Sequence, residues 1–105
     1  MKTIKNPCKK LLIEKYPFVA DQDALLKRMN THRINFTLQL QTLCIYIFTE
    51  HMDATNTDCL DVSICWCNET IENAVHKTFD YNPDGFETAC NWIDAQRINF
   101  AKQLL

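Results

Sequence analysis

One glycine, Gly85, serves a chain of 105 residues. That scarcity constrains the fold more than any other feature of the sequence. Tight hairpins and bulges depend on glycine to reach positive φ, where other residues meet a steric cost. Asparagine reaches the same region at some positions, so the scarcity is a bias and not a prohibition. It points away from a multi-stranded sheet and toward helices. The stretch from residue 24 to residue 52 adds to the bias, since it contains no Gly, Pro or Asp.

Local signals mark helices at both ends. Asn6-Pro7 is a helix start, with Asn as the N-cap and Pro at the first helical position. That helix is expected to run through KKLLIEKY and to stop before Pro17, because the residue before proline avoids the α region. A second begins near Asp21 or Asp23 and includes Ala24, Leu25, Leu26 and Met29. The stretch DYNPDG reads as a turn, after which Asp84 caps a last helix and Glu87 completes a capping box. Cys90, Ile93, Phe100 and Leu104 form its inner stripe, interrupted by Arg97.

The middle of the chain is ambiguous. Ile34, Phe36, Leu38 and Leu40 alternate with Asn35, Thr37, Gln39 and Gln41, which is a strand pattern. A strand continuing to Phe48 would far exceed the usual five or six residues. A helix also fits: Leu26, Met29, Phe36, Leu40, Leu43 and Ile47 line an apolar stripe, with Thr31, Asn35, Gln39, Thr42, Tyr46 and Thr49 on a polar one. The same holds from Asp58 to Phe79, where Leu60, Val62, Ile64 and Trp66 alternate but a single helix is also possible. The helical reading is preferred in both places, with a bend near Asn30. The expected architecture is a single all-α domain over residues 1–105, a small bundle of about four helices. The alternative is α+β with strands near 33–48 and 59–67.

Arg-Ile-Asn-Phe occurs twice, at Arg33 to Phe36 and at Arg97 to Phe100. Similarity fades on both sides of each copy. Convergence on one amphipathic turn explains it better than duplication, and the motif carries no chemistry of its own.

Charge is the most informative functional feature. Residues 1–33 hold eight Lys or Arg (2, 5, 9, 10, 15, 27, 28, 33) against three acids. Residues 50–94 hold ten acids and only Lys77. On a helix over 58–80, Asp58, Asp61, Glu69, Glu72 and Asp80 would fall within about 100° of one another. Such an acidic face would steer and orient a basic partner. A solvated face, partly neutralised by the chain's own lysines, is the plainer reading. Asp61, Glu69, Glu72 and Asp80, with Trp66 at the edge, are the expected partner-binding residues. The overall charge of −2 and the lack of aromatic interleaving among the lysines speak against direct nucleic-acid binding.

Six cysteines are many for this length. The N-terminus has lysines but no apolar core of a secretory signal. The longest apolar stretch, near Leu43 to Phe48, is far short of the roughly 20 residues that a spanning helix needs. A cytoplasmic protein without a membrane partner is expected, with free thiols. Cys8, in the first turn of a helix beside lysines, is the expected reactive thiol, since both features lower a thiol pKa. Cys65, Cys67, His76 and Cys90, with Cys59, are the only candidates for a metal. Their spacing lacks the paired C-x2-4-C pattern, and on a helix Cys65 and Cys67 would point about 200° apart. No metal or other cofactor is expected.

No GxSxG, P-loop, GxGxxG or HExxH motif is present, so an enzyme is not expected. The expectation is a small non-enzymatic protein-binding module. An inhibitor, an immunity or antitoxin-type protein, or a viral antagonist would use an acidic helix face in this way. A metal- or redox-responsive regulator is one alternative, and a small subunit or chaperone of a larger complex is another. A homodimer is compatible with each.

Overall fold

The computed structural model describes residues 6–103. Leu104, expected in the last helix's inner stripe, lies outside these residues, as do Lys2 and Lys5. The chain forms α1 (Pro7–Lys15), α2 (Gln22–Thr31), β1 (Asn35–Leu40), β2 (Leu43–Met52), β3 (Thr57–Trp66), β4 (Val75–Asp80) and α3 (Pro83–Lys102). Short 3₁₀ turns occupy Pro17–Ala20 and Ile71–Asn73. The four strands form an antiparallel meander in the order β1-β2-β3-β4. The architecture is therefore α+β, and the expected all-α bundle is corrected.

The helices at the ends form where their caps stand. Asn6 accepts a hydrogen bond from the Lys9 N–H at 3.1 Å, and Pro7 opens α1. Asp21 caps α2 by accepting from the N–H groups of Asp23 and Ala24. Helix α3 starts earlier than expected. Asn82, not Asp84, is its N-cap and accepts from the Gly85 N–H at 2.7 Å. Pro83 takes the first helical position, so the expected turn residues Pro83, Asp84 and Gly85 are helix.

The two long middle helices do not form, and burial explains why. Phe36 and Leu38 are buried while Asn35, Thr37 and Gln39 are exposed. A strand puts every second residue on one face, whereas a helix would turn successive members of that set about 200° apart. The apolar positions also change parity. They are even through Leu40, odd at Leu43, Ile45 and Ile47, and even again at Leu60, Val62 and Ile64. Each parity change marks a turn between paired strands. Leu40 pairs with Leu43, so Gln41 and Thr42 form the first turn. Met52 pairs with Thr57 across the second. The positive φ that glycine would normally supply comes from Gln41 (57°) and Asn56 (53°).

The repeated tetrapeptide occupies two different structures. In the strand region, Ile34 and Phe36 point the same way, and both are buried. In α3, Phe100 is buried, while Ile98 is turned outward and exposed. The two copies are unrelated in role, and the shared amphipathic turn assumed for them is corrected.

All three helices contact one layer of side chains on one side of the sheet. The Cα envelope measures 42 × 41 × 18 Å, as two layers require. Phe36 lies in the middle, stacked on Tyr16 with centroids 4.0 Å apart and edge-on to Phe86 at 6.0 Å. Ile45, Ile47, Leu60, Val62, Ile64 and Ile93 fill the rest. Buried Thr49 anchors the entry to β1: its Oγ1 accepts from the Ile34 N–H at 2.5 Å and lies 3.1 Å from the Tyr81 hydroxyl. That hydroxyl in turn donates to the His32 carbonyl. No described helix is long and apolar enough to cross a membrane.

Candidate functional site

Among the described residues, no α-helix covers the second face of the sheet. Alternation sends Asn35, Thr37 and Gln39 of β1 to this face, together with Cys44, Tyr46, Phe48 and Glu50 of β2. Cys59, Asp61, Ser63 and Cys65 of β3 join them, as do His76, Thr78 and Asp80 of β4. The strand register lines these residues up in rows. Glu50, Cys59 and Asp80 form one row, followed by Phe48, Asp61 and Thr78, then Tyr46, Ser63 and His76. Cys44 lies opposite Cys65 in the next row. One end of the face is thus acidic, the middle aromatic and the other end rich in thiols.

The exposed side of an antiparallel sheet is ordinarily polar. Here its centre is not. Tyr46 and Phe48 are half-buried neighbours with ring centroids 5.8 Å apart. Ser63 and Cys65 are small and are buried between larger neighbours. The acidic end is felt by its own thiol: burial first, then the carboxylates of Glu50, Asp61 and Asp58, push the Cys59 thiol up. His76 Nδ1 lies 3.3 Å from the Asp61 carboxylate and is mostly exposed. The strand positions of this face carry no Lys or Arg.

The residues expected to bind a partner separate. The helix that would have gathered them does not exist, so the acidic helix face is corrected. Asp61 and Asp80 do share the open face. Glu69 lies in the loop after β3, and Glu72 in the 3₁₀ turn Ile71–Asn73. Trp66 points to the helix side, edge-on to Phe100 at 5.0 Å. With Glu69, Thr42, Cys67 and Asn68 it lines an open recess of about 560 Å³.

Cys8 is also corrected as a reactive thiol. It stands in the first turn of α1, but its side chain is 0% exposed. Burial, and next the Asp94 carboxylate, push its thiol up to about 12. Desolvation outweighs the helix terminus and the lysines. Cys65, in β3, and Cys67, in the turn that follows it, both lie beside Cys44 of the open face, yet Cys90 is buried in the core. The set Cys65, Cys67, His76 and Cys90 is therefore not brought together. Among the described residues no group of three or more potential ligands is placed to hold a metal ion.

Sequence reasoning missed Cys44, Tyr46, Phe48 and Glu50. The signal was present as alternation in β2, where these four share a parity opposite to that of Leu43, Ile45 and Ile47. No family model matches the chain, and no curated protein or solved structure does either.

Proposed function

We propose that this chain is a small non-enzymatic protein-binding module that docks a basic, partly apolar segment of another protein on the open face of its sheet. The observation that carries the reading is the pairing of an aromatic centre, Tyr46 and Phe48, with an acidic end, Glu50, Asp61 and Asp80, on one face. Aromatic side chains half out of water supply contact area at low entropic cost. The carboxylates speed encounter with a basic partner and fix its orientation along the strands. An inhibitor and a small subunit of a larger complex would use such a face alike.

The test is to capture the stoichiometric partner of the tagged chain and to measure its affinity across a salt series. The double variant Glu50→Lys/Asp61→Lys is expected to bind more than about tenfold more weakly, with a flatter salt dependence. The control Glu69→Lys/Glu72→Lys, beyond the thiol end of the face and away from its acidic end, is expected to bind like wild type. The reverse pattern would place the interface at the loop after β3. A homodimer that buries Tyr46 would replace the basic partner with a second copy.

A further inference from the structure

The open face carries one feature that docking does not use. Cys44 Sγ lies 2.8 Å from Cys67 Sγ, within hydrogen-bond reach, and either thiol can donate. The contact is fixed by the ladder. Leu43 pairs with Trp66, and the Cys67 N–H donates to the Thr42 carbonyl at 2.8 Å, so the pairing runs one step past β3. Cys44 and Cys67 therefore meet as diagonal neighbours on one face, where long-range pairing holds both backbones in place. The pair is accessible, with Cys67 exposed and Cys44 half-buried. Cys65 stands directly opposite Cys44 but is only 1% exposed. The thiols of Cys8 and Cys90 are buried in the core.

We propose that Cys44 and Cys67 are a thiol–disulfide exchange site, closing into a disulfide across the β2–β3 ladder on meeting a small-molecule disulfide such as oxidised glutathione. The hydrogen bond to Cys44, and next partial desolvation, push the Cys67 thiol up to about 11. Attack on one sulfur of the small disulfide therefore comes from its minor thiolate form, the proton passing to solvent base. Exposure and the adjacent Cys44 single out this pair, and not a lowered pKa. A mixed disulfide forms, and one glutathione leaves as a thiolate that takes up a proton. Cys44, also giving up its proton, then attacks the Cys67 sulfur. The Cys44–Cys67 bond forms, and the second glutathione departs. Two electrons pass from the protein to the small disulfide, which ends as two thiols. The second step is intramolecular between sulfurs already near attack distance, so the mixed disulfide does not accumulate. Bond formation needs less than about 1 Å of side-chain approach from the present contact. The site stands independently of the docking reading, since it requires no partner protein.

The test uses the full chain, equilibrated in glutathione buffers of increasing oxidised fraction, quenched in acid, alkylated and mapped by peptide mass spectrometry. The expected product is a Cys44–Cys67 linked peptide that has lost two hydrogens, is reversed by dithiothreitol, and leaves Cys8 and Cys90 alkylated only after unfolding. Cys65→Ser is expected to close to within about twofold of wild type, and Cys67→Ser to lose the linkage and to carry glutathione on Cys44, if on any residue. Circular dichroism of each variant establishes that it is folded. Three results would each overturn the proposal: a stable Cys67–glutathione adduct without closure, a dominant Cys44–Cys65 linkage, or no closure in buffers that oxidise a reference dithiol.

Discussion

Replacing Gly85 with alanine should reverse the usual sign of that substitution. In a helix, Gly→Ala ordinarily stabilises by about 1 kcal/mol, because glycine has more backbone freedom to lose. Gly85 lies in the first turn of α3, yet a Cβ there would sit 2.0 Å from the Asp80 carbonyl oxygen and 2.8 Å from its carbon. Both are backbone atoms, so no side chain can swing aside. Relief takes one of two routes. Helix α3 can draw back, which pulls the Gly85 N–H from the Asn82 side chain that caps it at 2.7 Å. Alternatively the end of β4 can peel from β3, which loses the Cys59–Asp80 pair. Overpacking of this kind costs about 1–3 kcal/mol, and losing a cap about 1 kcal/mol more. After the gain in helix propensity is subtracted, Gly85→Ala should destabilise by about 1–3 kcal/mol. That corresponds to a fall in Tm of roughly 5–20 °C for a domain of this size. Urea unfolding, followed by circular dichroism and by the fluorescence of Trp66 and Trp92, measures it directly. Asn91→Ala, at an exposed position of the same helix, serves as the control and should stabilise by a few tenths of a kcal/mol. A Gly85→Ala variant as stable as wild type, or more so, would refute the close approach of β4 to α3.

Three further outcomes follow from the same packing. Gln41→Gly should stabilise by about 0.5–1 kcal/mol, because Gln41 holds φ at 57°, whereas Thr42→Gly, where φ is not positive, should destabilise; equal effects in urea unfolding would remove the left-handed turn. Thr49→Val strips the acceptor from the buried Ile34 N–H and should cost about 1–3 kcal/mol, against about 1 kcal/mol for Tyr81→Phe, which removes only the outer hydroxyl; a smaller loss for Thr49→Val would contradict the network. Because burial raises the Cys8 thiol from the usual 9.0 to about 12, the unfolded chain gives up this proton first; stability is fully present below about pH 9 and declines above it, and the Cys8→Ala variant should show a slope between pH 9 and 11 shallower by about 1.4 kcal/mol per pH unit, with parallel slopes as the refuting result.

The ends of this chain were legible because their signals are local. A cap such as Asn6 or Asp21 acts on N–H groups two or three residues away, and the sequence shows cap and target together. The sheet was not legible through the same kind of signal, because its first turn, Gln41-Thr42, avoids the residues that usually announce one, and Asp53 and Asn56 in the second do not by themselves tell a hairpin from a break between helices. Gln41 takes the left-handed conformation despite its Cβ, and the strands on both sides make that affordable: Leu40 and Leu43 close a ladder whose buried faces are continuous with the helix layer. The informative signal was the alternation Ile34, Phe36, Leu38, Leu40 followed by a parity change at Leu43: a helix cannot bury that alternating run on one face, and a single long strand cannot keep Leu40 and Leu43 on the same side. The lone glycine also proved informative for a reason other than φ. Gly85 is required where β4 and α3 come too close for any side chain, so its scarcity says little about the number of turns. Once parity rather than glycine is taken as the guide, the candidate site follows. The positions that alternate with the core in β2 are Cys44, Tyr46, Phe48 and Glu50, and a solvated strand face has no need of that combination. The acids expected to form one stripe spread out because a helix would repeat every 3.6 residues and a strand repeats every two. Asp61 and Asp80 remain on a common face because they belong to adjacent strands in adjacent rows, a relation that the register sets and that spacing along the sequence does not reveal.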